Sequence, residues 1–201
     1  MPTARESLLD AAGTALAGRP WPLVRMIDVA AVAGVSRQTL YNEFGSKDGL
    51  ARALVRREAD AYLAGVDRAL KEAGIEAVAE WTVTAAGSSA LVRAVLTGCW
   101  GERLPAPALA GVPSSSTVPA QRRADGPLPG PGDLVKLVRE RAAATFRSAG
   151  RPRAEADHLA RDCELAVRLA LSCLLAPEAE GGVARLVRDA LTHRRTGAAV
   201  I

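Results

Sequence analysis

Between Met26 and Phe44 two short stretches of helical spacing are separated by only four residues, Ala33-Gly34-Val35-Ser36. In the first, Ile27, Ala30 and Ala31 recur at helical intervals, as do Val29 and Val32. The second, SRQTLYNEF, opens on Ser36, whose hydroxyl can accept a backbone N–H at a helix start, and closes on Gly45. A linker this short forces two short helices to meet at an angle. On spacing alone the pair is either a helix-turn-helix or two short Ala-rich helices that merely pack together.

The rest of the chain repeats the helical signal. Leu8, Leu9, Ala12 and Leu16 share a face over about Ala4–Ala17, and Gly18, Pro20 and Pro22 break it, with Trp21 placed to plug a small core. Ser46 caps a long helix from Lys47 to about Ala73, and Gly74 interrupts it. Further helices are predicted over about 75–87, 89–96, 134–146, 154–176 and 183–194. Hydrophobic residues make up 49% of the 201, enough for a core, whereas aromatics make up only 3%, and Ala, Leu, Val and Arg dominate. This composition favours helices and starves strands. The predicted fold is all-α: a three-helix head over 1–47 and a larger helical domain over 48–201. The Pro-, Gly- and Ser-rich stretch at about 98–132 reads as a flexible loop.

The chemistry of the head suits a nucleic acid. Residues opening the second helix of such a pair face base edges in the major groove. Arg37 can donate two bonds to guanine and Gln38 can pair with adenine. Ser36 and Thr39 add hydroxyls at the same end, while Tyr41 and Asn42 can reach phosphates. Leu40 and Phe44 face inward at i and i+4.

VAAVAGVSRQTLYNEFGSKDGL resembles the DNA-binding signature of the TetR family. The matching elements are Val29-Ala30, Ala33-Gly34-Val35-Ser36, Thr39-Leu40-Tyr41, Phe44 and Ser46-Lys47-Asp48-Gly49-Leu50, with Trp21 as the preceding aromatic. The resemblance covers roughly the first 55 residues. It implies phosphate contacts for Tyr41, Asn42 and Lys47, and base reading for Arg37, Gln38 and Thr39. Two residues depart from the pattern. Pro20 replaces a usual Gly. Arg25 stands where Thr or Ser normally caps the second helix, and Arg can neither accept those N–H bonds nor suit the positive end of a helix. A phosphate contact by Arg25 would account for it.

The same resemblance implies a ligand-responsive regulator, most simply a repressor, binding double-stranded palindromic DNA as a homodimer. The helices at about 154–176 and 183–194 carry wide apolar faces and are expected to pair with those of a second copy. Trp81, Cys99, Trp100 and Leu104 are the expected pocket residues. With few acidic or His residues on apolar faces, a lipophilic effector is expected rather than a charged one. The alternatives are a DNA-binding helical protein without a sensor role, and a helical-bundle enzyme with a vestigial head. Motifs for a nucleophile elbow, a P-loop, a dinucleotide fingerprint or a zinc site are missing, so neither catalysis nor a cofactor or metal is expected. His158 and His193 lie on polar stretches and read as solvated. Three cysteines of unpaired spacing, Cys99, Cys163 and Cys173, read as reduced, buried thiols. No apolar run approaches a membrane span and the start lacks a signal-peptide core, so a cytoplasmic location is expected. A net charge of +4 is compatible with a phosphate-bearing partner but decides nothing alone.

Overall fold

A computed structural model describes residues 2–106, 128–176 and 182–197. All regular structure among the described residues is helical. In chain order the helices are α1 (Ala4–Gly18), α2 (Met26–Val32), α3 (Arg37–Phe44), α4 (Lys47–Glu72), α5 (Ile75–Ser88), α6 (Ala90–Thr97), α7 (Pro131–Ser148), α8 (Arg153–Leu175) and α9 (Gly182–Gly197). A single 3₁₀ turn, Trp21–Leu23, joins α1 to α2. Most of the expected loop at 98–132, and the Pro177 at which α8 was expected to stop, lie outside the described residues.

The chain divides into two compact units. One comprises Met1–Glu58 with Cys99–Leu128, the other Ala59–Gly98 with Pro129–Ile201. The unbroken helix α4 contributes its first half to one and its second half to the other.

In the first unit, local capping sets the helix starts. Thr3 and Glu6 form a reciprocal capping box: the Glu6 N–H donates to Thr3 Oγ1 at 3.2 Å and the Thr3 N–H to Glu6 Oε2 at 2.7 Å. Ser36 Oγ accepts from the Thr39 N–H at 3.0 Å, and Ser46 Oγ from the Gly49 N–H at 3.1 Å. Gly45 ends α3 at φ 72°, a backbone region that disfavours side chains. Gly49 is required for a different reason: a Cβ there would lie 1.9 Å from the Phe44 carbonyl oxygen, so only glycine lets α4 start so soon after α3. Leu8, Ala12, Trp21, Val24, Val29, Leu40, Phe44, Leu50 and Leu54 are buried as the core. Arg57 on α4 donates to Asp10 Oδ1 at 2.6 Å and to the Leu9 carbonyl at 3.2 Å, tying α4 to α1.

In the second unit α8 is the central helix, with α5, α7 and α9 packed against it. Tyr62, Val66, Val78, Val95, Leu134, Val138, Cys163, Val167 and Val187 are buried. Tyr62 and Thr82 share a hydrogen bond at 3.0 Å. Because Thr82 Oγ1 donates to the Val78 carbonyl at 2.7 Å, the tyrosine O–H is the donor of the shared bond. Burial pushes the Tyr62 phenol up to about 12. Asp67 and Arg141 pair between α4 and α7.

Candidate nucleic-acid interface

Helix α3 is anchored on one side and open on the other. Leu40 is fully buried and Phe44 nearly so, while Arg37, Gln38 and Asn42 are exposed. The open side is already ordered by its own contacts. Gln38 Nε2 donates to Asn42 Oδ1 at 2.9 Å, one helical turn on. That bond uses one amide N–H of the exposed Gln38, whose Oε1 and second N–H are the pair of groups an adenine edge requires. The Arg37 guanidinium lies 5.3 Å from the Tyr41 ring centre, a stacked arrangement that restrains it without using its donors. Thr39 is half-buried, its hydroxyl 2.9 Å from that of Ser36 at the helix start.

Lys47 stands at the start of α4, with Nζ donating to the Pro22 carbonyl at 3.0 Å and lying 5.5 Å from the Trp21 ring centre. Trp21 is 7% exposed, as its expected plug role requires. Its backbone N–H donates at 2.8 Å to the carbonyl of Arg103, so the segment following α6 also belongs to this corner of the first unit.

Arg25 occupies the cap position of α2 and makes no capping bond, as expected of its chemistry. Its Nε and Nη2 instead donate to the two carboxylate oxygens of Asp28, each at 3.0 Å. Arg19 Nη1 donates to the same Asp28 at 3.4 Å. The hydrogen bonds from Arg25 hold the Asp28 carboxyl below its ordinary range and raise the Arg25 guanidinium in return. An unfavourable cap thus becomes tolerable because an acid three residues on takes up its charge. Asp28 and Arg19 were not foreseen; the signal was the acid at i+3 from a misplaced Arg.

Of the expected pocket residues, Trp81 is in the second unit, while Cys99, Trp100 and Leu104 are in the first. The Trp81 indole fills the gap left by Gly65 on α4, where a Cβ would come within 2.1 Å of the ring, and its Nε1 donates to the Tyr62 carbonyl at 2.9 Å. Two clefts are found elsewhere in the second unit. The larger, about 750 Å³, runs between α4 and α7, with Leu70, Ala144 and Phe146 on its apolar side and Lys71, Arg141 and Arg151 among its polar groups. The smaller, about 390 Å³, lies between α7 and α8.

Other expectations need adjustment. Cys163 is buried, but Cys99 is exposed and Cys173 only half-buried, because Cys99 follows the end of α6 rather than lying on its apolar face. Asp162 is 1% exposed on α8, an acid on an apolar face that sequence spacing did not reveal. Arg194 of α9 donates to it at 3.1 Å, and His158, itself 45% exposed, stands 3.5 Å away. His193 is exposed. No group of His, Cys, Asp and Glu among the described residues is arranged to hold a metal, and no described helix is long and apolar enough to cross a membrane.

Two angled helices, the second presenting an ordered polar row above a buried leucine anchor, define a helix-turn-helix protein. Residues 8–54 match the family described as bacterial regulatory proteins, tetR family. The HTH-type transcriptional regulator AlkX of Mycobacterium tuberculosis is 47% identical over 66 residues, which is 33% of this chain and 31% of that relative. Two solved structures share the fold: the TetR family repressor AlkX from a Dietzia species (21% identity, 96% of each chain, TM-score 0.54) and a tetR-family transcriptional regulator from Streptomyces coelicolor (20% identity, 93% of this chain and 77% of that one, TM-score 0.50). Over residues 8–54 the chain thus matches the DNA-binding region of the tetR family, and it spans less than a third of the length of the curated relative.

Proposed function

We propose that the chain is a ligand-responsive transcriptional regulator, most simply a repressor, that binds a palindromic operator in the cytoplasm as a homodimer. Residues 1–47 act as the DNA-binding domain and 48–201 as the effector and dimerisation domain. The observation that carries the reading is the outward row of α3, in which Arg37, Gln38 and Asn42 stand clear of a fully buried Leu40. In this reading Arg37 and Gln38 meet base edges, Ser36 and Thr39 set the entry of the helix, and Tyr41, Asn42, Lys47 and Arg25 hold phosphates. Pairing through 154–176 and 183–194 is supported by an apolar strip on α8: Leu165, Leu169 and Leu174 are half-buried and Leu175 is 76% exposed.

The cleft of about 750 Å³ between α4 and α7 gives an effector room of the size small-molecule sites use. Its apolar side is compatible with a lipophilic effector, which must favour one DNA affinity state over another by a few kcal/mol to act as a signal. One observation favours a second reading, a constitutive DNA binder: Trp81, expected to line a pocket, is seated on Gly65 as packing.

Selection of bound sequences from a random duplex pool tests the function. The expected product is an inverted repeat; a pool with no enrichment refutes a sequence-specific regulator. On the selected site, Tyr41→Ala is expected to weaken binding to every sequence, whereas Gln38→Ala changes which bases are preferred. The reverse pattern would overturn the assignment of roles.

A further inference from the structure

The cations beside the Trp21 turn share a carboxylate in a way that helix capping does not explain. Arg25 and Arg19 come from either side of the turn, and both donate to Asp28. Their side chains are 73% and 49% exposed, while that of Asp28 is 29% exposed, so the two cations are more accessible than the acid they share. An approaching anion therefore meets guanidinium before carboxylate. Arg25 spends two of the five N–H donors of a guanidinium on Asp28, leaving three, and Arg19 spends one, leaving four. Lys47, held by the Pro22 carbonyl, adds a third cation at the same turn. Three positive charges against one negative leave this corner at +2.

We propose that Arg19 and Arg25 form a paired guanidinium seat for a DNA backbone phosphodiester, with Asp28 as the positioning residue that aims both. The proposal rests on the DNA-binding reading and adds to it a contact, Arg19, and an organiser, Asp28. Exposed ion pairs contribute little to stability, so ordering two long side chains around one carboxylate has small value for the free protein. Its value lies in binding, where side chains already held in place lose less freedom when a phosphate arrives. A phosphate suits the pair because two guanidiniums can present several N–H donors to its non-bridging oxygens.

Salt dependence separates a phosphate contact from a structural pair. The probe is a fluorescein-labelled duplex of about 30 base pairs and mixed sequence, titrated at NaCl concentrations between about 50 and 200 mM. Arg19→Ala is expected to flatten the slope of log affinity against log salt by about one, while Arg19→Lys retains it. The melting temperature of each free variant is measured alongside, and Arg19→Gln serves if the alanine variant folds poorly. Asp28→Ala supplies a test of sign. Removing an acid from a DNA-facing corner tightens binding if only net charge matters. If Asp28 aims the guanidiniums, binding weakens several-fold, and Asp28→Asn, which keeps one acceptor oxygen, loses less.

An unchanged slope in Arg19→Ala overturns the contact, and equal or tighter binding by Asp28→Ala overturns the positioning role. If the wild-type protein binds and Tyr41→Ala weakens it while both of these results hold, the DNA-binding reading survives and the seat falls alone. If the wild-type protein binds no duplex, both fall together.

Discussion

Cys99 and Cys163 carry the same thiol into opposite surroundings. Cys99 is exposed just beyond α6, whereas Cys163 is fully buried on α8. Burial first, and then the neighbouring Asp162 charge, push the Cys163 thiol up to about 12. Thiolate is the reacting form, so near neutral pH the Cys163 thiol stays protonated and unreactive. With a disulfide reagent under native conditions, Cys99 is expected to react first and Cys173 more slowly. Cys163 should react only after denaturant is added, or as the pH approaches 12. Rapid labelling of Cys163 in the folded protein would contradict the described packing. The sequence led to burial for all three because each has apolar neighbours in the chain. Only the point where α6 ends distinguishes Cys99, and that is a matter of a residue or two. Asp162 was illegible for a related reason: its partner Arg194 lies 32 residues away on another helix.

At the level of the helix, local chemistry was the readable part. Ser36, Gly45, Ser46 and Gly74 were all assigned from short-range capping rules, and each stands at the boundary expected of it. The all-α class followed from periodicity in the same way. The seat of Trp81 was not legible, because it is set by Gly65, which lies on a different helix and carries no side chain to announce the contact. That contact makes a prediction about two glycines. Alanine is normally favoured over glycine inside a helix by up to about 1 kcal/mol. Gly87 in α5 has open space where a Cβ would go, so Gly87→Ala should raise the melting temperature slightly. Gly65→Ala should lower it, because the added methyl displaces the indole and breaks its bond to the Tyr62 carbonyl. Overpacking of this kind costs about 1–3 kcal/mol, enough to outweigh the helical gain. Thermal denaturation of both variants checks the contrast. A stabilised Gly65→Ala would mean that Trp81 is not seated there.

For the molecule as a whole, the proposed homodimer rests on apolar surface that the single chain leaves partly uncovered. Leu175, at the end of α8, is 76% exposed, so a charge there should leave the fold of one chain intact. In a dimer paired through α8 and α9, Leu175→Glu places an unpaired carboxylate in the interface. Sedimentation is expected to show a dimer for the wild-type protein and a shift toward monomer for the variant, with little change in helical content. A monomeric wild-type protein, or a variant that dimerises equally well, would remove this interface. The sequence supplied the wide apolar faces of these helices but not which leucines remain uncovered. That depends on how much of each face α5 and α7 already occupy.

The bond from the Trp21 N–H to the Arg103 carbonyl carries a lesson about heredity as well as architecture. The DNA-reading segment is often imagined as a cassette that can be cut out at one continuous boundary and grafted elsewhere. Here its tryptophan corner is completed by a strand of chain encoded some eighty residues later, within the same compact unit. A chimera that exchanges only the first 58 residues would bring its own corner but borrow a stranger's acceptor for it. Recombination that preserves both pieces, or neither, is the kind this architecture can tolerate.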